Sequence, residues 1–151
     1  MSLLEDKVVL VTGGTSGIGR ACALLFAREG GKVAFTGRRE EAGRQLLEEI
    51  EKQGREALFV RADAADPGSG AEVVKQVVAR FGRLDAAFNN AGTAASGPLE
   101  ELDEATWDRL IGGNLKGAFF YLRAEAAQMR AQGGGGSIVC SGSVFTFSLK
   151  K

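Results

Sequence analysis

The stretch Thr12-Gly13-Gly14-Thr15-Ser16-Gly17-Ile18-Gly19 decides the fold of this chain, because it is a tight glycine turn between a strand pattern and a helix pattern. The apolar run Val8-Val9-Leu10-Val11 precedes it, and the residues that follow have the apolar spacing of an amphipathic helix. Glycines in such a turn let the backbone approach a phosphate, and the free N–H groups and dipole at a helix N-terminus stabilise negative charge. The sequence therefore predicts a pyrophosphate-binding turn.

Apolar, strand-like runs alternate with helical patterns along the rest of the chain, and each run is continuously apolar. Strands of this kind are typical of a parallel sheet that helices cover on both faces. Right-handed crossovers then favour a Rossmann-type doubly wound α/β fold in three layers, with strand order 3-2-1-4-5 and a single domain over residues 1–151. The predicted strands are 7–11, 32–36, 57–61, 84–88 and 137–141.

Local signals predict where the helices begin and which side of each one faces the core. Asp66-Pro67 predicts an N-cap with proline in the first helical turn, and Asp103 predicts the N-cap of the following, long helix. Gly112-Gly113 conflicts with helix propensity inside that long helix. The predicted apolar faces are Ile18, Ala21, Cys22, Leu25 and Phe26 in the first helix, and Trp107, Leu110, Ile111, Leu115, Ala118, Phe119, Leu122, Ala126 and Met129 in the long one.

Composition and charge exclude several classes of function. The 151 residues include 19 Lys or Arg and 19 Asp or Glu, so the chain has no electrostatic footprint for nucleic acid or an anionic membrane. No apolar run approaches the roughly 20 residues of a membrane-spanning helix, and residues 1–7 lack a signal-peptide pattern, so we expect a cytoplasmic protein. The absence of histidine excludes His-based triads and His metal sites, and no metal site is predicted. Cys22 and Cys140 are interpreted as small buried hydrophobes.

Further motifs follow the glycine turn in a recognisable order. Asp63 follows the third predicted strand, N-N-A-G occupies 89–92, N-L-K-G occupies 114–117 and G-S-I-V-C-S-G-S occupies 136–143. Together with the glycine turn, they make residues 5–144 resemble the short-chain dehydrogenase/reductase family, including 3-oxoacyl-carrier-protein reductases and related sugar, steroid and alcohol dehydrogenases. The resemblance implies a nicotinamide dinucleotide cofactor and hydride transfer to or from a carbonyl or alcohol substrate.

The resemblance also implies which residues bind the cofactor. Asp63 matches the acid that hydrogen-bonds the adenine amino group, and Ala64 supplies backbone beside it. The turn after the fourth strand matches the segment along the ribose and nicotinamide, whereas Asn89 matches a mainly structural residue. The cofactor-binding residues implied in this way are Thr12, Gly13, Thr15, Ser16, Gly17, Ile18, Gly19, Asp63, Ala64, Asn90, Ala91 and Gly92.

Residues just past the second strand bear on the choice between NAD(H) and NADP(H). A carboxylate at this place accepts hydrogen bonds from the ribose 2′-hydroxyl and repels a 2′-phosphate. Gly37 stands here instead of an acid, and Arg38 offers a planar guanidinium that suits a phosphate. The sequence therefore predicts NADP(H) over NAD(H), with the alternative that Arg38 and Arg39 are only the solvated first turn of a helix.

Catalysis in the family uses a Tyr-x-x-x-Lys pair for proton transfer, a serine that orients the substrate oxygen and an asparagine on the proton relay. The resemblance matches Ser143 to the serine and Asn114 to the asparagine. Tyr121 is followed at the lysine position by Glu125, so we interpret Tyr121 as a packing or surface residue. The pair would lie past Lys151, so we expect a domain truncated after the fifth strand, with little or no activity.

Three functions stay open on the sequence alone. The chain is either a shortened oxidoreductase of the family, or a dinucleotide-binding module that does not turn its cofactor over, or a non-catalytic partner of a full-length relative. An open apolar sheet edge at Ile138 and Val139 would promote self-association, so we expect a homo-oligomer. The substrate is not assigned beyond a small carbonyl or alcohol compound.

Overall fold

A parallel sheet of five strands, in the order β3-β2-β1-β4-β5, forms the centre of the computed structural model, which describes residues 2–142. The predicted doubly wound α/β fold and its strand order are confirmed. The central strand β1 is buried along its whole length, which explains its continuously apolar sequence. The strands are Val8–Thr12 (β1), Lys32–Gly37 (β2), Ala57–Arg61 (β3), Ala86–Asn89 (β4) and Ser137–Cys140 (β5).

Helices cover both faces of the sheet and enclose two separate hydrophobic cores. On one face, Ala23, Phe35 and Ile50 belong to a core between the sheet and the first two helices. On the other face, Leu10 and Val77 belong to a second core. The helices are Gly17–Arg28 (α1), Glu40–Glu51 (α2), Ser69–Phe81 (α3), Glu104–Ile111 (α4) and Gly117–Ala131 (α5), with a π-helical turn at Gly112–Lys116 between the last two.

The predicted core face of α1 is wrong for most of its residues, although Phe26 packs against the core as expected. Ile18 and Leu25, which were expected inside, are 68% and 52% exposed. The side of α1 that faces the sheet carries Gly19, Ala23, Leu24 and Ala27 instead. Small residues allow α1 to lie close to the strands, so the size of the side chains decides this packing more than their apolar character does.

The start of α3 also differs from the prediction. Asp66 does not cap the helix directly, because its Oδ1 accepts a hydrogen bond from the N–H of Gly68 at 2.9 Å and its carbonyl accepts one from Ser69 at 3.0 Å. Pro67 therefore lies in a separate turn, and α3 begins at Ser69. The prediction for α4 is confirmed, since Asp103 Oδ1 accepts a hydrogen bond from the N–H of Thr106 at 2.8 Å. This capping bond also lowers the pKa of Asp103 below its usual value.

The long predicted helix is divided at its glycine pair. The π-helical turn at 112–116 separates α4 from α5 and changes which side chains face the core. Trp107 and Phe119 are 61% and 57% exposed, so the single predicted apolar stripe is wrong over most of its length. The buried face of α5 is formed by Gly117, Tyr121, Glu125 and Met129, which are spaced four residues apart.

Two smaller expectations concern the cysteines and the edge of the sheet. Cys140 is exposed and Cys22 is half-buried, so the interpretation of both as buried hydrophobes is wrong. Val139 of the edge strand β5 is 56% exposed in the described part of the chain. Among residues 2–142, no helix has the length and apolar character needed to cross a bilayer.

Candidate functional site

A cavity of about 570 Å³ opens where the carboxyl ends of the strands meet. The connection after β1 leads toward β2 in one half of the sheet, and the connection after β4 leads toward β5 in the other half. The cavity lies at this switch point, which is the usual place for a ligand in an open α/β sheet. Most of the predicted cofactor-binding residues line this cavity together: Gly13, Thr15, Ser16, Arg38, Asp63, Ala64, Asn90, Ala91 and Gly92.

The glycine turn after β1 is held by the end of β2. The N–H of Gly14 donates to the carbonyl of Thr36 at 2.8 Å, and the N–H of Gly13 donates to Thr36 Oγ1 at 3.3 Å. Gly13 has a φ of 65°, a left-handed conformation that favours glycine. A Cβ on Gly37 would lie 2.4 Å from a side-chain carbon of Thr15, so glycine is also needed at the end of β2.

Thr12 and Gly19 support the cavity from behind rather than lining it. Thr12 is buried, and its Oγ1 accepts hydrogen bonds from the backbone N–H groups of Asn90 and Ala91, each at 3.0 Å. A Cβ on Gly19 would lie 2.2 Å from the carbonyl oxygen of Gly13, so only glycine allows α1 to begin so close to the turn. The side chain of Ile18 is exposed and is not among the lining residues.

The N-terminus of α1 has the properties of an anion site. Ser16 occupies the N-cap position but makes no capping hydrogen bond with its side chain. The first turn of α1 carries no acidic residue. The N–H groups at the start of α1 are therefore not capped by a side chain, and Ser16, which precedes them, lines the cavity.

Arg38 and Arg39 lie at the rim of the cavity just after β2. Both side chains are exposed, and among residues 2–142 no carboxylate lies within ion-pair distance of either guanidinium. Arg39 is the N-cap residue of α2, where a cation is not favoured by the helix dipole. An anionic group near this rim would therefore meet two positive charges that the described residues do not neutralise.

Asp63 and Ala64 line the cavity in the loop after β3, which lies beside the end of β2 because the N–H of Ala62 donates to the carbonyl of Gly37 at 3.1 Å. Asp63 Oδ1 accepts a hydrogen bond from the N–H of Ala65 at 3.0 Å, which shapes the loop. Gly117 at the start of α5 lies directly against this loop, because a Cβ there would be 1.9 Å from the carbonyl oxygen of Ala64. The loop is thus supported from below by a helix that begins with glycine.

Residues 7–149 match the short chain dehydrogenase family. The chain belongs to the short-chain dehydrogenase family. It is 45% identical over 142 residues to the A-factor type gamma-butyrolactone 1'-reductase (1S-forming) of Streptomyces virginiae, covering 93% of this chain and 55% of that protein. It is 40% identical over 146 residues to the L-rhamnose 1-dehydrogenase (NAD(P)(+)) of Azotobacter vinelandii, covering 94% and 57%.

Solved structures of short-chain dehydrogenases share this fold. A short chain dehydrogenase from Burkholderia cenocepacia J2315, crystallised in complex with NADP, superposes with a TM-score of 0.92 at 35% identity. The match covers 98% of this chain and 60% of that one. The present chain spans about half the length of the curated relatives it matches. The family resemblance predicted from the motifs is therefore confirmed.

Of the two residues matched to the family's catalytic positions, Asn114 is among the described residues and Ser143 is not. Ser143 lies outside the described residues 2–142. Asn114 lies in the π-helical turn, and its amide holds Thr93: Nδ2 donates to the Thr93 carbonyl and Oδ1 accepts from the Thr93 N–H, both at 2.8 Å. In this short-chain dehydrogenase chain, Asn114 therefore joins the segment after β4 to the helices.

Sequence reasoning missed two polar side chains that line the cavity. Arg109 Nη1 donates to Thr93 Oγ1 at 3.1 Å, and both residues border the cavity. Thr93 is also held by Asn114 of the π-helical turn, a conformation that no periodic pattern in the sequence predicts. The only local signal was the glycine pair Gly112-Gly113, which indicated an irregularity without its shape.

Sequence reasoning also missed two polar contacts beneath the cavity, made by the buried face of α5. Tyr121 is 1% exposed, and its hydroxyl oxygen lies 2.8 Å from Ser69 Oγ. Burial raises the pKa of Tyr121, and the prediction that it is a packing residue is confirmed. One turn further on, Glu125 is fully buried, and its Oε2 accepts a hydrogen bond from Asn89 Nδ2 at 2.7 Å.

Proposed function

We propose that this chain binds NADP(H) and forms the cofactor-binding part of an oxidoreductase that acts on a carbonyl or alcohol substrate. The observation that carries the proposal is one cavity lined by the glycine turn, by residues beside the uncapped N-terminus of α1 and by Arg38. A reductase and a dehydrogenase among the relatives, and the NADP complex of a similar structure, support the same reaction class and cofactor. When bound, a nicotinamide dinucleotide supplies or accepts the hydride.

The residues present fit such a cofactor from one end of the cavity to the other. The N–H groups from Thr15 to Gly19 would hold the pyrophosphate, because they are not capped by a side chain. Arg38 would bind a 2′-phosphate with its guanidinium, and Asp63 with Ala64 would border the adenine. The segment Asn90–Gly92 would lie along the ribose and the nicotinamide.

Two residues complete the proposal on the catalytic side. Asn114 is assigned to the proton relay and Ser143 to orientation of the substrate oxygen, as the family resemblance implies. A cytoplasmic location is part of the same proposal.

A homo-oligomer is also proposed. Large apolar side chains lie exposed along α4, the π-helical turn and α5, at Trp107, Leu115, Phe119 and Leu122. Contiguous exposed apolar residues of this size commonly mark protein–protein contacts. Light scattering at increasing protein concentration tests this proposal, and a monomer at every concentration would contradict it.

Titration calorimetry with NADPH and NADH tests the proposed cofactor and gives the first mutational prediction. NADPH is expected to bind the wild-type chain more tightly than NADH. Replacing Arg38 by glutamate should weaken NADPH binding by about 100-fold, because a charge-assisted contact is lost and a repelling carboxylate is introduced. NADH affinity should change much less, because NADH carries no 2′-phosphate.

The matched control is Arg130→Glu, which makes the same charge change on an exposed residue at the end of α5, outside the cavity lining. Its NADPH affinity is expected to equal that of the wild-type chain. Tighter binding of NADH than NADPH by the wild-type chain would contradict the proposed preference, and binding of neither would contradict the proposed function.

A further inference from the structure

Glu125 is a buried ionisable residue to which the proposed function gives no role. It lies on the core face of α5 and is 0% exposed. Its polar contact is with Asn89, the last residue of β4, and Asn89 directly precedes the segment 90–92 that lines the cavity. Glu125 therefore joins α5 to the strand end from which one wall of the cofactor cavity begins.

The hydrogen bonds of this pair are incomplete if Glu125 is ionised. Asn89 Nδ2 donates to Glu125 Oε2, but Asn89 Oδ1 and Glu125 Oε1 are both buried without a hydrogen-bond partner. Both of these oxygens are acceptors when the carboxyl group is ionised, so neither can satisfy the other. A single proton on Oε1 turns this atom from an acceptor into a donor, which is what a hydrogen bond to Asn89 Oδ1 requires.

The surroundings of Glu125 favour the neutral acid. Burial raises its pKa to about 7, and the hydrogen bond from Asn89 acts in the opposite direction. Two titratable groups lie on the elements that pack around Glu125. One is Tyr121 on α5, and the other is the exposed Cys140, which pairs with Asn89 in the sheet. The charged side chains of α3, which packs against α5, are exposed: Glu72, Lys75 and Arg80. None of these groups supplies a buried cation that would stabilise a carboxylate.

We propose that Glu125 is a positioning residue that acts as a neutral acid: its Oε1–H donates to Asn89 Oδ1 while its Oε2 accepts from Asn89 Nδ2. This acid–amide pair fixes α5 to the end of β4 and holds the segment Asn90–Gly92 in the conformation that lines the cavity. Loss of the proton breaks one of the two hydrogen bonds and places a charge in the core, which loosens the segment. The effect on cofactor affinity rests on the proposed function, whereas the effect on folding does not.

The experiment compares the wild-type chain with Glu125→Gln and Glu125→Met between about pH 5 and pH 8. Glutamine keeps both hydrogen bonds, since its amide accepts from Nδ2 and donates to Oδ1, but it has no proton to lose. Methionine keeps the length of the side chain and removes both bonds. Glu51→Gln, on an exposed glutamate at the end of α2, is the matched control for the chemical change.

The expected pH dependence follows from the direction of the pKa change. Because the pKa is higher in the folded chain, about 7 against 4.5, the stabilisation is complete below pH 4.5 and is lost as the pH rises through about 7. The unfolding equilibrium constant of the wild-type chain should increase by about 70-fold between about pH 5 and pH 8 relative to Glu125→Gln. The Glu51→Gln control should follow the wild-type chain, and Glu125→Met should be less stable than Glu125→Gln at every pH.

Two further measurements separate the pair from the proposed function. Carbon-13 NMR of the Glu125 carboxyl should show a protonated group at about pH 6. NADPH affinity of the wild-type chain should fall with rising pH more steeply than that of Glu125→Gln.

Two results would overturn the inference: an ionised Glu125 at about pH 6, or equal pH profiles of unfolding for the wild-type chain and Glu125→Gln. NADPH can fail to bind while Glu125 titrates as expected and Glu125→Met alters the amide NMR shifts of Ala91 and Gly92. In that case the proposed function is wrong, but the acid–amide pair is supported. NADPH binding with the same pH dependence in all three chains would overturn the positioning role.

Discussion

Replacing Gly19 by alanine is expected to abolish tight dinucleotide binding and to destabilise the fold. The new Cβ would lie 2.2 Å from the carbonyl oxygen of Gly13 and 2.6 Å from Asn90 Nδ2, so α1 must move away from the glycine turn. Overpacking against backbone should lower the free energy of unfolding by about 2–3 kcal/mol. Displacement of the N–H groups at the start of α1 should weaken NADPH binding by at least about 100-fold.

Urea unfolding and calorimetric titration measure these two effects. Gly112→Ala is the matched control, because it is the same substitution in a helical conformation and its Cβ would meet nothing closer than Ala65 Cβ at 3.9 Å. Its stability should be equal or higher by up to about 1 kcal/mol, since alanine is the better helix former. An unchanged NADPH affinity in Gly19→Ala would show that the start of α1 does not hold the pyrophosphate.

Replacing Gly117 by alanine is expected to have a comparable effect on stability and to disturb the cavity at the loop after β3. The added Cβ would lie 1.9 Å from the carbonyl oxygen of Ala64, in the loop that carries Asp63. Either α5 or this loop must shift, at a cost of about 2–3 kcal/mol in the free energy of unfolding. NADPH affinity should fall by about tenfold, because the proposed adenine wall is displaced while the pyrophosphate turn is kept.

Urea unfolding measures the loss of stability, and hydrogen exchange of the backbone N–H groups at 62–65 locates the displacement. Exchange in this loop should become faster in Gly117→Ala, whereas exchange near the glycine turn at 13–19 should change less. Gly112→Ala serves again as the control. A Gly117→Ala chain as stable as the wild type would mean that the loop and α5 are not in close contact.

Much of the fold could be predicted because its signals are local or repeat along the chain. The continuously apolar strands indicated a parallel sheet, and the glycine turn placed the first crossover. The core face of α1 could not be predicted in the same way, because Gly19, Ala23 and Ala27 face the sheet for their small size. A prediction from periodicity depends on apolar character, so it placed Ile18 and Leu25 on the core face. Both side chains are exposed.

The site was predictable where one short motif builds it and unpredictable where distant segments meet. The glycine turn and Arg38 lie next to strands, so their place at the edge of the sheet follows from the strand assignments. Arg109 and Thr93 lie 16 residues apart in the sequence, and no sequence pattern indicates their contact. Glu125 was missed because a carboxylate is normally assigned to the surface, and only the contact with Asn89 explains its burial.

The hydroxyl group of Thr12 has a consequence for how this protein folds. It accepts hydrogen bonds from Asn90 and Ala91, which are 78 and 79 residues away along the chain. The tip of the first strand and the tip of the fourth therefore share one oxygen, so neither tip reaches its final shape until the crossovers between them have formed. The nucleotide cleft should thus appear late and in one step with the sheet, without a stable intermediate that already holds half of it.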